Sequence, residues 1–278
     1  MLSSRPLVER TSSTAIRAGW SCLRTWRPEV GEGYDQVKLA TDLSGLGVSQ
    51  GGCLFVHASF KSVGKVNGGA QTVIEALEYA IGPHGLLMMP SFNLIGGRDE
   101  RAENWDVTIT PSSVGWLTEY FRKMTGTFRS DHYSHSTAGR GPGAEAFVAD
   151  HLSQDGMPSP WDRKPWGKTY GTGAPMVRAY ERGGQILMIG TDHETSTYCH
   201  VVEARYWAER CANDPEAPFL WLDRVRLGTY WDAHGEQKTG TVGDADCRLI
   251  DIRTYVDGLL SEVRDNPDAY DRVKLGTR

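Results

Sequence analysis

The sequence predicts an α/β fold, with a single domain built on a central mixed β-sheet that is flanked by helices. Three short apolar runs, at 53–57, 86–89 and 185–189, are bounded by glycine or proline and are typical of buried strands. The first two enclose a glycine-bearing loop and a helical pattern, which together form a βαβ unit. We therefore expect one domain over residues 34–278, with its active site at strand ends and in long loops. Residues 1–33 are predicted to be an N-terminal arm, either docked or partly disordered.

The first elements follow one another closely. A weakly helical pattern over 34–46 is closed by a glycine, and the first strand comes soon after it. A loop rich in Gly, Ser and Lys then covers 59–69. The helix predicted over 70–81 has apolar residues on one face and ends at a glycine-proline pair.

The second half repeats the buried-strand pattern at 185–189, and a helix is predicted after it over 195–209. Two segments, 93–111 and 154–173, are polar or rich in proline and glycine, so we expect long loops there. Long loops in a compact domain are often lids or binding walls.

Composition excludes several classes of protein. The net charge of −5 over 278 residues argues against a general nucleic-acid binder and is compatible with a cationic substrate, although solubility alone explains such a charge equally well. Five scattered cysteines without a C-x-x-C pair favour reduced thiols in a cytoplasmic protein. No run approaches 18 apolar residues, and we identify no secretory signal, so no membrane association is expected.

The loop after the first strand is a candidate anion or cofactor site. Glycines just before a helix expose backbone N–H groups that can hold an oxyanion or a phosphate. The pattern is neither a Walker A loop nor G-x-G-x-x-G, and an ordinary βα turn remains the alternative. The candidate residues of this loop and its preceding strand are His57, Ser59, Ser62, Val66, Gly68 and Gly69.

A second candidate site follows the strand at 185–189. Thr197, His200 and Glu203 are spaced i, i+3 and share one face of the predicted helix. A histidine beside a carboxylate is a common general base, and a nearby hydroxyl can stabilise an oxyanion. His193 is a second candidate base, and histidines bonded to a structural neighbour are the alternative. The spacing does not match H-E-x-x-H, so no metal is expected.

A third segment contains several histidines, but their types alone name no reaction. It runs from Arg129 to Ser136, and His151 follows it. It could line a cleft or be a polar loop.

Five sequence blocks, in this order, resemble the aminoglycoside 3-N-acetyltransferase family, a fold group distinct from the GNAT acetyltransferases. The blocks are L-F-V-H-A-S-F-K-S-V-G-K-V-N-G-G (54–69), G-P-H-G-L-L-M-M-P-S-F-N (82–93), R-S-D-H-Y-S-H-S (129–136), G-T-D-H-E-T-S-T-Y-C-H-V-V-E (190–203) and T-V-G-D-A (241–245). Three positions depart from the family pattern: Ala58 replaces a frequent serine, Tyr133 a usual proline and Asp244 a usual asparagine.

The resemblance implies a metal-free N-acetyltransferase that uses acetyl-CoA as cosubstrate. It implies that His200 is the base, assisted by Glu203, and that Thr197 stabilises the oxyanion of the tetrahedral intermediate. It places the residues of the glycine loop along the path of the pantetheine and phosphates. The implied acceptor is an aminoglycoside, at the 3-amino group of its central ring, with antibiotic resistance as the outcome. The alternative acceptor is another amine in natural-product metabolism.

Acidic residues in the first long loop are expected to bind a polycationic acceptor. They are Asp99, Glu100, Glu103 and Asp106, for which solvated loop charges are the alternative. The sequence leaves open the exact acceptor, the role of the arm, the choice between His193 and His200, and the oligomeric state, with a homodimer among the states considered.

Overall fold

A seven-stranded mixed β-sheet forms the centre of the chain in a computed structural model, which describes residues 33–277. The strand order is β3-β4-β2-β1-β7-β9-β8, and β5 and β6 form a separate small sheet. The strands are β1 (Cys53–Ala58), β2 (Leu86–Pro90), β3 (Phe128–Arg129), β4 (Thr137–Arg140), β5 (Gly156–Met157), β6 (Tyr170–Gly171), β7 (Gln185–Ile189), β8 (Lys238–Val242) and β9 (Ala245–Asp251). Strand β1 is parallel to both neighbours, β2 and β7, and the outer pairs are antiparallel.

Helices cover both faces of this sheet. They are α1 (Gln36–Leu46), α2 (Ala70–Ile81), α3 (Arg98–Glu103), α4 (Trp116–Lys123), α5 (Ala144–Val148), α6 (Pro175–Glu181), α7 (Tyr198–Asn213), α8 (Arg224–His234), α9 (Ile252–Asp265) and α10 (Arg272–Leu275). Helices α1, α2 and α4 pack on one face, and α5 to α9 pack on the other. Within residues 33–277, no helix is long and apolar enough to cross a membrane.

Strand β1 is apolar along its length because both of its faces are covered. Leu54 and Val56 pack in the core cluster that contains α1 and α2. Phe55, which points to the opposite face, packs against Tyr198 of α7 with ring centroids 5.3 Å apart. Side chains alternate between faces along a strand, so a strand buried on both sides needs an uninterrupted apolar run.

The chain reverses its winding direction at β1. From β1 it crosses to β2 through α2 on one face, and it reaches β7 through α6 on the other. This reversal is a topological switch point, where loops diverge and leave a crevice at the carboxyl ends of the strands.

The predicted fold class and its mixed sheet are confirmed. Helix α2 and strand β7 have the predicted bounds, and β1 and β2 each extend one residue further. Helix α1 begins later than predicted, since the Asp35 side chain caps it by accepting from the Lys38 amide at 2.8 Å. Helix α7 also begins later and runs to Asn213, because a 3-10 turn occupies His193–Thr195 before it.

The segment 93–111 is not entirely a loop, which corrects the prediction. It contains the six-residue helix α3, where Ala102 is the one buried residue, so the sequence shows no apolar periodicity. Strands β8 and β9 and helices α8 and α9 were also not predicted. The predicted arm, 1–33, lies outside the described residues except for Gly33.

Arg129 fastens the segment 93–111 to the sheet. Its guanidinium donates to the carbonyl oxygens of Thr110 at 2.6 Å, Val107 at 3.0 Å and Ser91 at 3.0 Å. It also lies over the Trp105 ring, 4.3 Å from the centroid. Burial lowers the pKa of Arg129 to about 10, which still leaves it charged near neutral pH.

Replacing Arg129 with leucine should destabilise the protein by roughly 3 kcal/mol, because several buried carbonyl groups lose their donor. Denaturant unfolding measures this loss, and hydrogen exchange should show faster opening over residues 98–111. Arg163→Leu is the matched control: its ion pair with Asp99 joins the same segment to another loop but is largely exposed, so we expect a change of about 0.5 kcal/mol or less. Equal losses in the two variants would contradict the anchoring role of Arg129.

Candidate active site

A cleft of about 570 Å³ opens at the carboxyl ends of the three parallel strands. His57 and Ala58 reach it from β1, Pro90 from the end of β2, Phe92 from the segment after β2, and Thr191 from the segment after β7. The remaining wall residues come from loops and helix starts: Leu94, Arg98, Arg101, Val114, Thr118, Ser134, His135, Trp161, Glu194, Thr195, Thr197, His200, Trp221 and Arg224. The expected position of the site, at strand ends with loop walls, agrees with this cleft.

His200 and Glu203 form a hydrogen-bonded pair in the cleft wall. The Nδ1 atom of His200 lies 2.6 Å from Oε2 of Glu203, one helical turn further along α7. Because an ionised carboxylate can only accept, the neutral imidazole in this position carries its hydrogen on Nδ1 and has its lone pair on Nε2. Glu203 is 2% exposed, and its other oxygen accepts from the backbone amide of Leu222 at 2.8 Å. This arrangement suits a general base.

Two aromatic rings hold the imidazole of His200 in place. The Trp161 ring lies 5.0 Å from it and the His135 ring 5.4 Å, both edge to face. Trp161 comes from the proline-rich loop 154–173, so that loop does form a wall of the cleft. Tyr133 secures the loop by donating its hydroxyl to the Trp161 carbonyl at 2.7 Å.

Thr197 and His57 lie next to each other beside this pair. The hydroxyl of Thr197 is 3.4 Å from Nε2 of His57, and both side chains are buried. Burial lowers the pKa of His57 to about 4, so its ring is neutral near pH 7. Helix α7 begins directly after Thr197, which places the positive end of the helix dipole at the cleft wall. The Thr197 hydroxyl, as a hydrogen-bond donor, and the positive end of the helix dipole both favour negative charge developing at this point.

His193 does not reach the cleft. Its ring is buried against α8 and α9, with Nδ1 3.0 Å from the Tyr255 hydroxyl and Nε2 3.2 Å from Asp232. Its Cβ is only 2.5 Å from the position that a side chain on Gly228 would occupy. A base must touch its substrate. The geometry therefore leaves His200 as the candidate base and gives His193 a packing role.

The predicted cofactor residues divide into two groups. His57 lines the cleft, whereas Ser59, Ser62, Val66, Gly68 and Gly69, which follow it in sequence, are not among the residues of the cleft wall. The hydroxyl of Ser62 donates to that of Ser59 at 2.8 Å.

The glycine pair of this loop leaves room beside the backbone. Gly69, with φ +68°, precedes α2 without a side-chain cap, and a Cβ there would meet open space. A Cβ on Gly68 would lie 2.4 Å from the Thr72 hydroxyl. The loop thus exposes backbone at a helix start, as a phosphate or amide chain requires.

The histidine block lies partly inside the protein. His132 and His151 are stacked with ring centroids 4.6 Å apart, and His135 links them to the cleft wall. His151 is held by Ser130 at 2.8 Å and by the Thr169 carbonyl at 3.0 Å. Burial lowers the pKa of His151 to about 4. Across residues 33–277, no group of three His, Cys, Asp or Glu side chains could hold a metal ion.

The acidic residues expected to receive a polycation do not line the cleft. Asp99 pairs with Arg163, and the side chains of Glu100 and Asp106 accept from nearby backbone amides. Helix α3 instead turns Arg98 and Arg101 towards the cavity. Sequence reasoning missed both, together with Arg224, since the only available signal was the i, i+3 spacing of the first two.

The sequence is similar to those of known aminoglycoside acetyltransferases. A sequence model of the family described as aminoglycoside 3-N-acetyltransferase matches residues 55–262. The aminoglycoside N(3)-acetyltransferase IV of a Salmonella species is 31% identical over 249 residues, covering 84% of this chain and 89% of the relative. The prophage-derived aminoglycoside N(3')-acetyltransferase-like protein YokD of Bacillus subtilis is 27% identical and covers 79% of this chain and 88% of its own.

Solved structures agree with these sequence matches. The apoenzyme of the aminoglycoside acetyltransferase AAC(3)-IVa superposes with a TM-score of 0.68 at 27% identity, covering 86% of this chain and 93% of that one. A structure of the same enzyme in complex with apramycin gives a TM-score of 0.67 at 26% identity, covering 86% of this chain and 95% of that one.

Acid should weaken the fold between about pH 6.5 and pH 4. His57 and His151 are neutral when folded, with pKa values near 4, but take up protons near 6.5 when unfolded. Their contribution is therefore complete above pH 6.5 and is lost as the pH falls, by roughly 2 kcal/mol each at pH 5. Urea unfolding from pH 8 to pH 5 measures this loss. His151→Asn should show a shallower pH dependence than the wild type, and parallel curves would contradict the role given to His151.

Proposed function

The chain belongs to the aminoglycoside 3-N-acetyltransferase family, and we propose that it transfers the acetyl group of acetyl-CoA to an amine of an aminoglycoside antibiotic. The acceptor proposed is the 3-amino group of the central ring, and resistance to the antibiotic is the consequence. The observation that carries this function is the His200–Glu203 pair in the wall of a cleft at the strand ends. This chemistry needs a base and a place for an oxyanion, and we assign the first to His200 and the second to the surroundings of Thr197.

His200 removes a proton from the attacking amine. An ammonium group has no lone pair, so acyl transfer requires deprotonation as the nitrogen approaches the thioester carbon. The proton goes to Nε2, and the hydrogen bond from Nδ1 to Glu203 stabilises the imidazolium that results. His200 releases this first proton to solvent. Once the nitrogen is bonded to the acetyl carbon it gives up a second proton, which passes to the departing sulfur as the carbon–sulfur bond breaks, so the products are the amide, the CoA thiol and one released proton.

Thr197 stabilises the carbonyl oxygen during transfer. Its hydroxyl lies in the wall next to neutral His57, at the start of α7. A hydroxyl donor and the positive end of a helix dipole both favour a developing negative charge. The effect is larger in a cleft with aromatic walls than in water.

Acetyl-CoA supplies an activated acetyl group as a thioester. His57 would contact its acetyl end, and the loop from Ser59 to Gly69 would hold the pantetheine and phosphate groups, since exposed backbone at a helix start suits both.

Direct transfer without an acyl-enzyme is supported by the state of Cys199. This thiol is adjacent to His200 in sequence, but it lies beside the Tyr255 hydroxyl, and burial raises its pKa to about 11. It is therefore protonated and inert near neutral pH. We also propose a cytoplasmic location, with which the four unpaired cysteines among residues 33–277 are consistent.

A thiol-release assay tests the proposed activity. Purified protein, acetyl-CoA and a panel of aminoglycosides should release CoA only when an aminoglycoside is present, and product mass and NMR should place the acetyl group on the 3-amino position. Simple polyamines are the control acceptors. Release with polyamines alone would leave the fold and cosubstrate in place but refute the acceptor.

Substitutions separate the two candidate bases. His200→Ala should lower kcat by roughly 10²–10⁴-fold because the amine keeps its proton. Glu203→Gln should lower it by about 10–100-fold through loss of imidazolium stabilisation. His193→Asn is the matched control: kcat should stay within about threefold of wild type while the melting temperature falls, because its ring packs the core. Steady-state kinetics and thermal melting decide this, and a greater loss of kcat in His193→Asn would move the base to that residue.

A further inference from the structure

Three arginines line the cleft. Their positive charge is opposite in sign to the charge expected in a site that receives a polycation. Arg98 and Arg101 approach from α3, where their i, i+3 spacing places them on one side of the helix. Arg224 approaches from the first position of α8, which follows the wall residue Trp221. Among the described residues that line this cavity, Glu194 is the one carboxylate. Glu203 is not among them and is hydrogen-bonded to His200.

The guanidinium groups of these arginines have hydrogen-bond donors that are not used within the protein. Within residues 33–277, none of the three forms an ion pair. Arg98 donates to the Pro160 carbonyl at 2.7 Å, and Arg101 makes one longer bond, of 3.3 Å, to the Asn93 carbonyl. The Nε atom of Arg101 is buried without a hydrogen-bond partner. Because a guanidinium has five N–H donors, each group retains capacity for a ligand.

The neutral groups around the arginines do not balance their charge. Burial lowers the pKa of His57 and of His135, so both rings are uncharged near pH 7. Phe92, Trp161 and Trp221 provide apolar wall between them. A partly closed cavity with apolar walls strengthens the attraction of unpaired cations for an anion and their repulsion of a cation.

We propose that Arg98, Arg101 and Arg224 form an anion-binding subsite in the cleft, which holds a phosphate or carboxylate group of one of the two substrates. The planar forks of arginine match both groups and can bind them through paired hydrogen bonds. The proposal rests on the acetyl transfer proposed above. It adds that a substrate presents negative charge to the cleft, either from a phosphate group of acetyl-CoA that the Ser59–Gly69 loop does not hold or from an anionic group on the acceptor itself.

The two sources are separated by using substrates with and without phosphate. The double variant Arg101→Gln/Arg224→Gln is compared with wild type and with Arg226→Gln, a control on the same helix whose exposed side chain is outside the cleft wall. Calorimetry measures Kd for CoA and for pantetheine, and steady-state kinetics compare phosphoethanolamine with ethanolamine as acceptors. Thermal melting confirms that all three proteins fold.

If the anion belongs to the cosubstrate, the double variant binds CoA at least tenfold more weakly and pantetheine unchanged. If it belongs to the acceptor, CoA binding stays constant, and wild type prefers phosphoethanolamine to ethanolamine by a factor that falls at least tenfold in the double variant. Arg226→Gln should match wild type in both measurements.

The subsite is refuted if CoA binding in the double variant remains within twofold of wild type and, in addition, either the acceptor preference also remains within twofold or wild type acetylates neither phosphoethanolamine nor ethanolamine. That result would leave the proposed function intact, because transfer to aminoglycosides is measured independently. Conversely, wild type that acetylates no aminoglycoside while the double variant loses CoA affinity would refute the acceptor and support the subsite.

Discussion

The carboxylate of Glu203 is almost completely removed from solvent, and much of the cleft is arranged around that buried charge. A buried carboxylate needs partners, and Glu203 has two, the imidazole of His200 and the backbone amide of Leu222. The first bond fixes the orientation of the candidate base. The second holds the chain after α7 against the helix, which positions Trp221 and the start of α8 in the cleft wall. The orientation of the candidate base and the shape of the adjoining cleft wall thus depend on one side chain.

The topology of the sheet determines the position of the cleft. Strand β1 has parallel neighbours on both sides, and the chain leaves and returns across opposite faces. Loops from β1, β2 and β7 therefore diverge at one edge and leave a crevice between them. Long segments close that crevice, held by Arg129 on one side and by the Tyr133 hydroxyl on the other. Their rigidity comes from buried polar contacts rather than from regular structure.

The residues proposed for the transfer chemistry and the other wall residues of the cleft come from different parts of the fold. His200, Glu203 and Thr197 lie on or directly before α7, which packs on the sheet. The arginines and aromatic rings come from α3, α8 and the loops. Residues on loops can change without disturbing the scaffold, so relatives with the same reaction can differ in acceptor.

The sequence by itself determined the βαβ core, the bounds of α2 and β7, and the juxtaposition of Thr197, His200 and Glu203, because these depend on local periodicity and on spacing along one helix. It also located the site at strand ends. Only the tertiary structure shows that His200 lines the cleft whereas the ring of His193 packs against α8 and α9, since that difference depends on contacts with residues distant in sequence. Helix α3 and the antiparallel strands β8 and β9 were missed, because α3 and β8 each bury a single residue and short elements gain their stability from long-range packing. The charge of the cleft was missed for the same reason: side chains adjacent in sequence, Arg98 and Asp99, face the cavity and the solvent respectively, and only packing determines which one does so.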